Sequence, residues 1–327
     1  TPAGEFNLEM FKGKIGIIGA GALGGFYGAR LARASHDVHF LVRSDFDQVR
    51  EHGLEVRSVD GDFLIHPNIH ASAEELGLCD LIIIGLKATH NEALPELLAH
   101  TAGPDSVVLT LQNGLGNEEQ IAEALRGNGA AKPEERIIGG VAFICSNRLG
   151  PGVINHTAHG WIRLAEFRGA ARPRTEAVAE LFRSAEIHVE VSDSLSQIRW
   201  EKLVWNIPFN GLGVGAEEAD SQVVLQDDAL LPTARGLMEE TITAARADDV
   251  EIDPAIVQRM IDSTGNMGAY QSSMQIDFAE RRPLEVEPIL GEPLRRARRA
   301  GIPTPRLEML YGIVRRRDAL NAERKTP

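Results

Sequence analysis

From Lys14 the apolar positions run strand, glycine turn, helix, strand. Ile15, Ile17 and Ile18 form a short β-branched run, Gly19-Ala20-Gly21 interrupts it, Ala22 to Ala34 reads as a helix of small residues, and Val38, Phe40, Leu41 and Val42 make a second strand. Leu54 to Val59 and Phe63 to His66 flank Asp60-Gly61, a hairpin signal. Cys79 to Leu86, Ser106 to Leu111 and Ile137 to Ile144 are nearly continuous apolar runs, the pattern of parallel strands buried on both faces. Val153 to Ile154, Trp161 to Leu164 and Ile187 to Val191 read as further strands. Strands that alternate with helical stretches predict a doubly wound α/β sheet of the Rossmann type.

The period changes after about Ser192. From Ser194 onward the apolar spacing is helical, around Leu195 to Leu203, Leu230 to Ala247, Ala255 to Ile261 and Ile289 to Ala300. Asp253-Pro254 is a helix start and Gly301-Ile302-Pro303 a stop. These patterns divide the chain into a dinucleotide-binding domain over 10–193 and an all-helical substrate and catalytic domain over 194–327. Thr1 to Glu9 precede Met10 and read as a remnant foreign to the fold. The charged stretch from Arg315 to Pro327 is expected to fray.

Charge narrows the partners. With 34 Lys and Arg against 47 Asp and Glu, the net charge of −13 opposes nucleic acid and anionic membranes and favours a small-molecule substrate. No run approaches the ~20 apolar residues of a membrane span, and no signal peptide is evident, so the expected address is cytoplasmic. Cys79 and Cys145 lack metal-ligand spacing and read as buried reduced thiols, with no metal site expected. A homodimer is left open, because no heptad or exposed apolar stripe specifies an oligomeric state.

Gly19-Ala20-Gly21-Ala22-Leu23-Gly24 matches G-x-G-x-x-G directly after a strand and at the head of a helix. In that setting Gly19 permits the tight turn, Gly21 admits a pyrophosphate, and Gly24 lets helix and strand pack closely. The second strand then ends in Val42-Arg43-Ser44, where an NAD site usually carries an acid. A guanidinium there favours the 2′-phosphate of NADP(H), although Asp45 and Asp47 stand close by.

Lys87 and Asn113 follow central strand runs, at the strand mouths where open α/β sheets bind ligands. In the helical half, Lys202, Asn206 and Asn210 fall at i, i+4 and i+8 on one helix face, flanked by Trp205 and Phe209. Asparagine is a poor interior helix former, so this strip points to polar groups in an apolar wall rather than a solvated face. A partly buried lysine has the lowered pKa of a general acid.

Taken together, the glycine turn, Leu86-Lys87-Ala88, Gln112-Asn113-Gly114, Glu201-Lys202-Leu203 with Asn206 and Asn210, Ser272 to Asp277, Arg282 to Glu287 and Gly301 to Pro305 resemble the ketopantoate reductases (2-dehydropantoate 2-reductases). The resemblance spans Lys14 to Leu320. It implies that Lys202 is the general acid and Glu285 the active-site carboxylate. It further implies that Asn206, Asn210 and Ser273 bind substrate, while Lys87 and Asn113 face cofactor and substrate. The implied reaction is NADPH-dependent reduction of 2-dehydropantoate to pantoate, in pantothenate biosynthesis. The alternatives are a dehydrogenase of another 2-keto or 2-hydroxy acid and a non-catalytic dinucleotide sensor. One departure stands out: many members carry proline directly after the second asparagine, whereas here Gly211 follows Asn210 and Pro208 precedes it.

Overall fold

The structure is a computed structural model that describes residues 13–216 and 219–323. The remnant expected at Thr1 to Glu9 lies outside the described residues. The chain divides into two compact units: one holds the chain up to Gln112 and from Asn117 to Leu195, the other Asn113–Gly116 and the chain from Ser196.

Among the described residues the first unit is built on ten strands: β1 (Ile15–Ile18), β2 (Val38–Leu41), β3 (Leu54–Ser58), β4 (Phe63–Ile65), β5 (Asn68–His70), β6 (Cys79–Ile84), β7 (Ala102–Thr110), β8 (Ile137–Gly150), β9 (Val153–Glu166) and β10 (Val189–Val191). They form one sheet in the order β4-β3-β9-β8-β7-β6-β1-β2-β5, with β10 beside β9. The central strands β2, β1, β6 and β7 are parallel. Their side chains alternate between two cores, Ile17, Leu81, Ile83 and Leu109 on one face and Ile18, Ile82, Ile84 and Val108 on the other. Burial of both faces explains why these strands read as unbroken apolar runs.

The sheet is mixed rather than wholly parallel. β3 and β4 form the antiparallel hairpin expected around Asp60-Gly61. β8 and β9 form a second, much longer one that turns at Pro151-Gly152. The chain leaves β1 toward β2 and later returns to β1's other side as β6. That reversal is a topological switch point, where strand ends open a crevice for a ligand. Helix α1 (Ala22–Arg33) starts there.

The second unit is helical. Its longest element, the lysine helix Leu195–Gly215, contributes Trp200, Leu203, Val204 and Ile207 to a core shared with Leu237, Met238, Leu290, Leu307 and Val314. Pro208 sits inside that helix and withholds the N–H that would bond Val204's carbonyl, yet the helix continues past it. Gly211 is explained by packing: a Cβ there would come within 2.4 Å of Leu310 Cδ2.

The expectation that the chain frays from Arg315 is corrected. The final helix, Pro305–Glu323, runs through most of that stretch. Val314 is buried in the core, Arg317 donates to the carbonyl of Gly215 at 3.2 Å, and Asn321 donates to that of Phe278 at 3.0 Å. These contacts outweigh the charge run that suggested fraying.

Candidate active site

In the first unit the glycine turn, Leu41 to Asp45, Leu86 and Arg148 line one cavity at the carboxyl end of β1 and β2. Two of the motif glycines are demanded by the protein itself. Gly19 has φ +95, and a Cβ there would lie 2.5 Å from the Leu86 nitrogen; a Cβ on Gly24 would lie 2.2 Å from the Gly19 oxygen. Gly21 differs, because its Cβ would meet nothing within 4 Å. Packing therefore does not account for glycine at this position, whereas a ligand lying against the backbone does. Helix α1 begins here with no side-chain cap and no acid in its first turn, an arrangement suited to an anion. Ala22, Leu23 and Gly24 form that first turn.

Arg43 is exposed at the rim of the same cavity. The two acids that complicate the sequence reading are both engaged. Asp47 pairs with Arg50 at 2.8 Å, and Asp45 accepts the Gly152 N–H at 3.0 Å and pairs with Arg148 at 3.1 Å. Lys87 sits half-buried just beyond β6, next to the cavity residue Leu86. The strand ends behind it are tied by a buried amide chain: Gln112 donates to Asn91 at 2.6 Å, and Asn91 to Asn117 at 3.0 Å.

In the second unit Lys202 is half-buried, and its Nζ donates to Asn113 Oδ1 at 2.7 Å. Its pKa falls from 10.5 to about 7. Burial is the largest cause, the positive charge of Arg199 adds to it, and the carboxylate of Glu285 opposes both. Arg199 and Glu285 are themselves buried. Arg282, a candidate partner for Glu285 by proximity in sequence, instead pairs with Asp277 at 2.8 Å.

Local backbone chemistry explains how Asn113 reaches the lysine. Glu287–Gly291 is a π-helical turn, and the residue five beyond Pro288 is Pro293, which has no N–H to give. The Pro288 carbonyl accepts instead from Leu115 N–H at 2.9 Å. Gly114 allows this approach with φ +83, since a Cβ there would lie 2.3 Å from the same carbonyl oxygen.

Asn206 and Asn210 are both buried on the lysine's helix. Asn210 bonds within the protein: its Nδ2 donates to the Asn206 carbonyl at 2.9 Å and its Oδ1 accepts Met274 N–H at 3.3 Å. Asn210 thereby fastens the start of helix Ser273–Ala279. Ser272 caps that helix in a capping box with Gln275, which leaves the neighbouring Ser273 exposed. Sequence reasoning passed over Arg199, Arg148 and the Pro288 carbonyl; only the Pro-x-x-x-x-Pro spacing signalled the last of these.

Comparison with known proteins accounts for the joint presence of these features. Residues 15–169 match the profile described as Ketopantoate reductase PanE/ApbA, and residues 194–318 match its C-terminal counterpart. The chain belongs to the ketopantoate reductase family. It is accordingly an oxidoreductase, of a family whose cofactor is a nicotinamide dinucleotide. Among ketopantoate reductases, a 2-dehydropantoate 2-reductase of Nostoc sp. is 40% identical over 318 residues, 95% of this chain and 97% of its own. The crystal structure of 2-dehydropantoate 2-reductase from Geobacter metallireducens is 43% identical with a TM-score of 0.87, covering 93% of this chain and 99% of that one. D-mandelate dehydrogenase in ternary complex with NADH and anilino(oxo)acetate shares the fold, with a TM-score of 0.85, at 22% identity over 94% of this chain and 99% of that one. At that identity the likeness extends to the fold alone. No helix among the described residues is long and apolar enough to cross a membrane, and no cluster of His, Cys, Asp and Glu suited to a metal occurs among them.

Proposed function

We propose that the chain reduces 2-dehydropantoate to pantoate with NADPH. The observation that carries this reading is Lys202, whose pKa of about 7 lets it give up a proton near neutral pH and which Asn113 orients at 2.7 Å. A nicotinamide dinucleotide held through its pyrophosphate at Gly19 to Leu23 would supply a hydride to C2 of the keto acid. Negative charge then builds on the C2 oxygen, and Lys202 Nζ delivers the proton that neutralises it. The neutral amine left behind suits its buried setting and regains a proton from solvent before the next turnover.

The other residues bind and orient. Glu285 accepts a substrate hydroxyl and, by its charge, keeps Lys202 protonated against the pull of burial and Arg199. Asn206 and Ser273 donate to the substrate's polar groups. Asn210 acts one step back, holding the backbone beside Ser273. Arg43 reads the 2′-phosphate, which supports NADPH over NADH. The first unit thus serves the dinucleotide and the second the keto acid. The cytoplasm is the setting we assign, in keeping with two buried, unbridged cysteines.

The test is NADPH oxidation across a panel of 2-keto acids with identification of the product. 2-Dehydropantoate should give the highest kcat/KM and yield pantoate. Turnover of a different 2-keto acid at a higher kcat/KM would reassign the substrate.

A further inference from the structure

Arg148, at the tip of the β8–β9 hairpin, lines the same cavity as Gly21 and Arg43, more than 100 residues along the chain from either. Asp45 holds it there at 3.1 Å, and Asp45 is itself fixed, being almost fully buried, with Ser44 Oγ donating to it at 2.8 Å and Gly152 N–H at 3.0 Å. Read from sequence, an acid at this strand end counts in favour of NAD, because a carboxylate accepts ribose hydroxyls and repels a 2′-phosphate. The structure changes that sign. The carboxylate is spent on a backbone N–H, a hydroxyl and a guanidinium. A guanidinium carries five N–H donors in a planar fork, so the pairing with Asp45 leaves Arg148 donors for a second anion. Without Arg148 the charges of Arg43 and Asp45 would cancel; with it the cavity rim is net positive.

We propose that Arg148 is a second reader of the cofactor's 2′-phosphate and that Asp45 is the positioning residue that holds it in place. The inference rests on the reading of this cavity as the NADPH site, and it deepens that reading by turning one of the two apparent counter-signals, Asp45, into part of the phosphate clamp.

The experiment is calorimetric binding of 2′-phospho-ADP-ribose and of ADP-ribose to the full chain, which needs no turnover. Arg148→Ala should raise Kd for the 2′-phosphorylated ligand by about 10- to 100-fold, the range for hydrogen bonds to a charged group, while ADP-ribose changes by less than about threefold. Equal loss for both ligands, or no loss for either, would overturn the proposal. The positioning role is read from a double-mutant cycle. In the parent protein Asp45→Asn should loosen the 2′-phosphorylated ligand several-fold, because Arg148 loses its anchor. In the Arg148→Ala background the same change should tighten it, because an uncompensated acid is removed. Tightening to the same degree in both backgrounds would show that Asp45 merely repels phosphate. Gly21→Val tests the underlying reading separately, since it fills a space that no protein atom occupies. It should abolish binding of both ligands, and unchanged binding of both would sink the cavity assignment and the proposal with it.

Discussion

Lys202 Nζ and Asn113 Oδ1 lie 2.7 Å apart although 89 residues separate them in the chain. The ammonium donates this bond more strongly than the neutral amine does, so Asn113 both aims the lysine and favours its acidic form. Asn113→Ala should lower kcat by about 10- to 100-fold at neutral pH, the cost of a lost hydrogen bond to a charged group. It should also move the alkaline limb of the pH–rate profile to lower pH. An unshifted limb would show that Asn113 does not act on the proton donor.

Glu285 and Arg199 act on Lys202 with opposite signs. Glu285→Gln removes the charge that raises the lysine's pKa, so the alkaline limb should move down. Arg199→Gln removes the charge that lowers it, so the limb should move up. The pH dependence of kcat/KM for the two variants checks this, and shifts in the same direction would contradict the electrostatic account.

Stability carries the same signature. Lys202 has a pKa of about 7 in the folded protein against 10.5 when free, so between those values the unfolded chain binds the extra proton and stability rises with pH. Below about pH 7 the half-buried ammonium costs the fold on the order of a few kcal/mol relative to the neutral amine. Lys202→Met should therefore be more stable than the parent at low pH, with the gap closing as pH rises from 7 toward 10. Denaturant melts of both proteins across that range measure it, and a gap that does not depend on pH would mean that the lysine's pKa is not depressed.

Much of this site is legible in the chain because its signals are local. The strand before Gly19 and the helix after it are set by β-branched and small residues within 20 positions, and β1, α1 and β2 occur where the pattern puts them. The Lys202, Asn206, Asn210 strip follows from helical spacing alone. What was not legible depends on distant partners. The long β8–β9 hairpin read as separate short strands, since register shifts within it break the alternation. Asp45 complicates the reading of the strand end in sequence because its partner Arg148 lies 103 residues further on. Gly211 looked like a departure from a motif because the side chain that requires it, Leu310, arrives from the last helix.

That last contact is itself testable. Gly211→Ala should destabilise the protein by about 1–3 kcal/mol, the usual range for overpacking a tight contact. Leu310→Val in the same chain should recover part of the loss. Thermal or denaturant melts would show it, and a fully stable Gly211→Ala protein would remove packing as the reason for the glycine.

The central claim is that Lys202 supplies the proton, and its most direct test is the steady-state rate of 2-dehydropantoate reduction by Lys202→Ala beside Lys202→Arg, with NADPH affinity measured in parallel. The account predicts a fall in kcat of about 10²–10⁴ for alanine, a nearly equal fall for arginine, which keeps the charge but does not release a proton, and NADPH binding close to the parent in both. Near-normal kcat in Lys202→Ala, or substantial rescue by arginine, would contradict it.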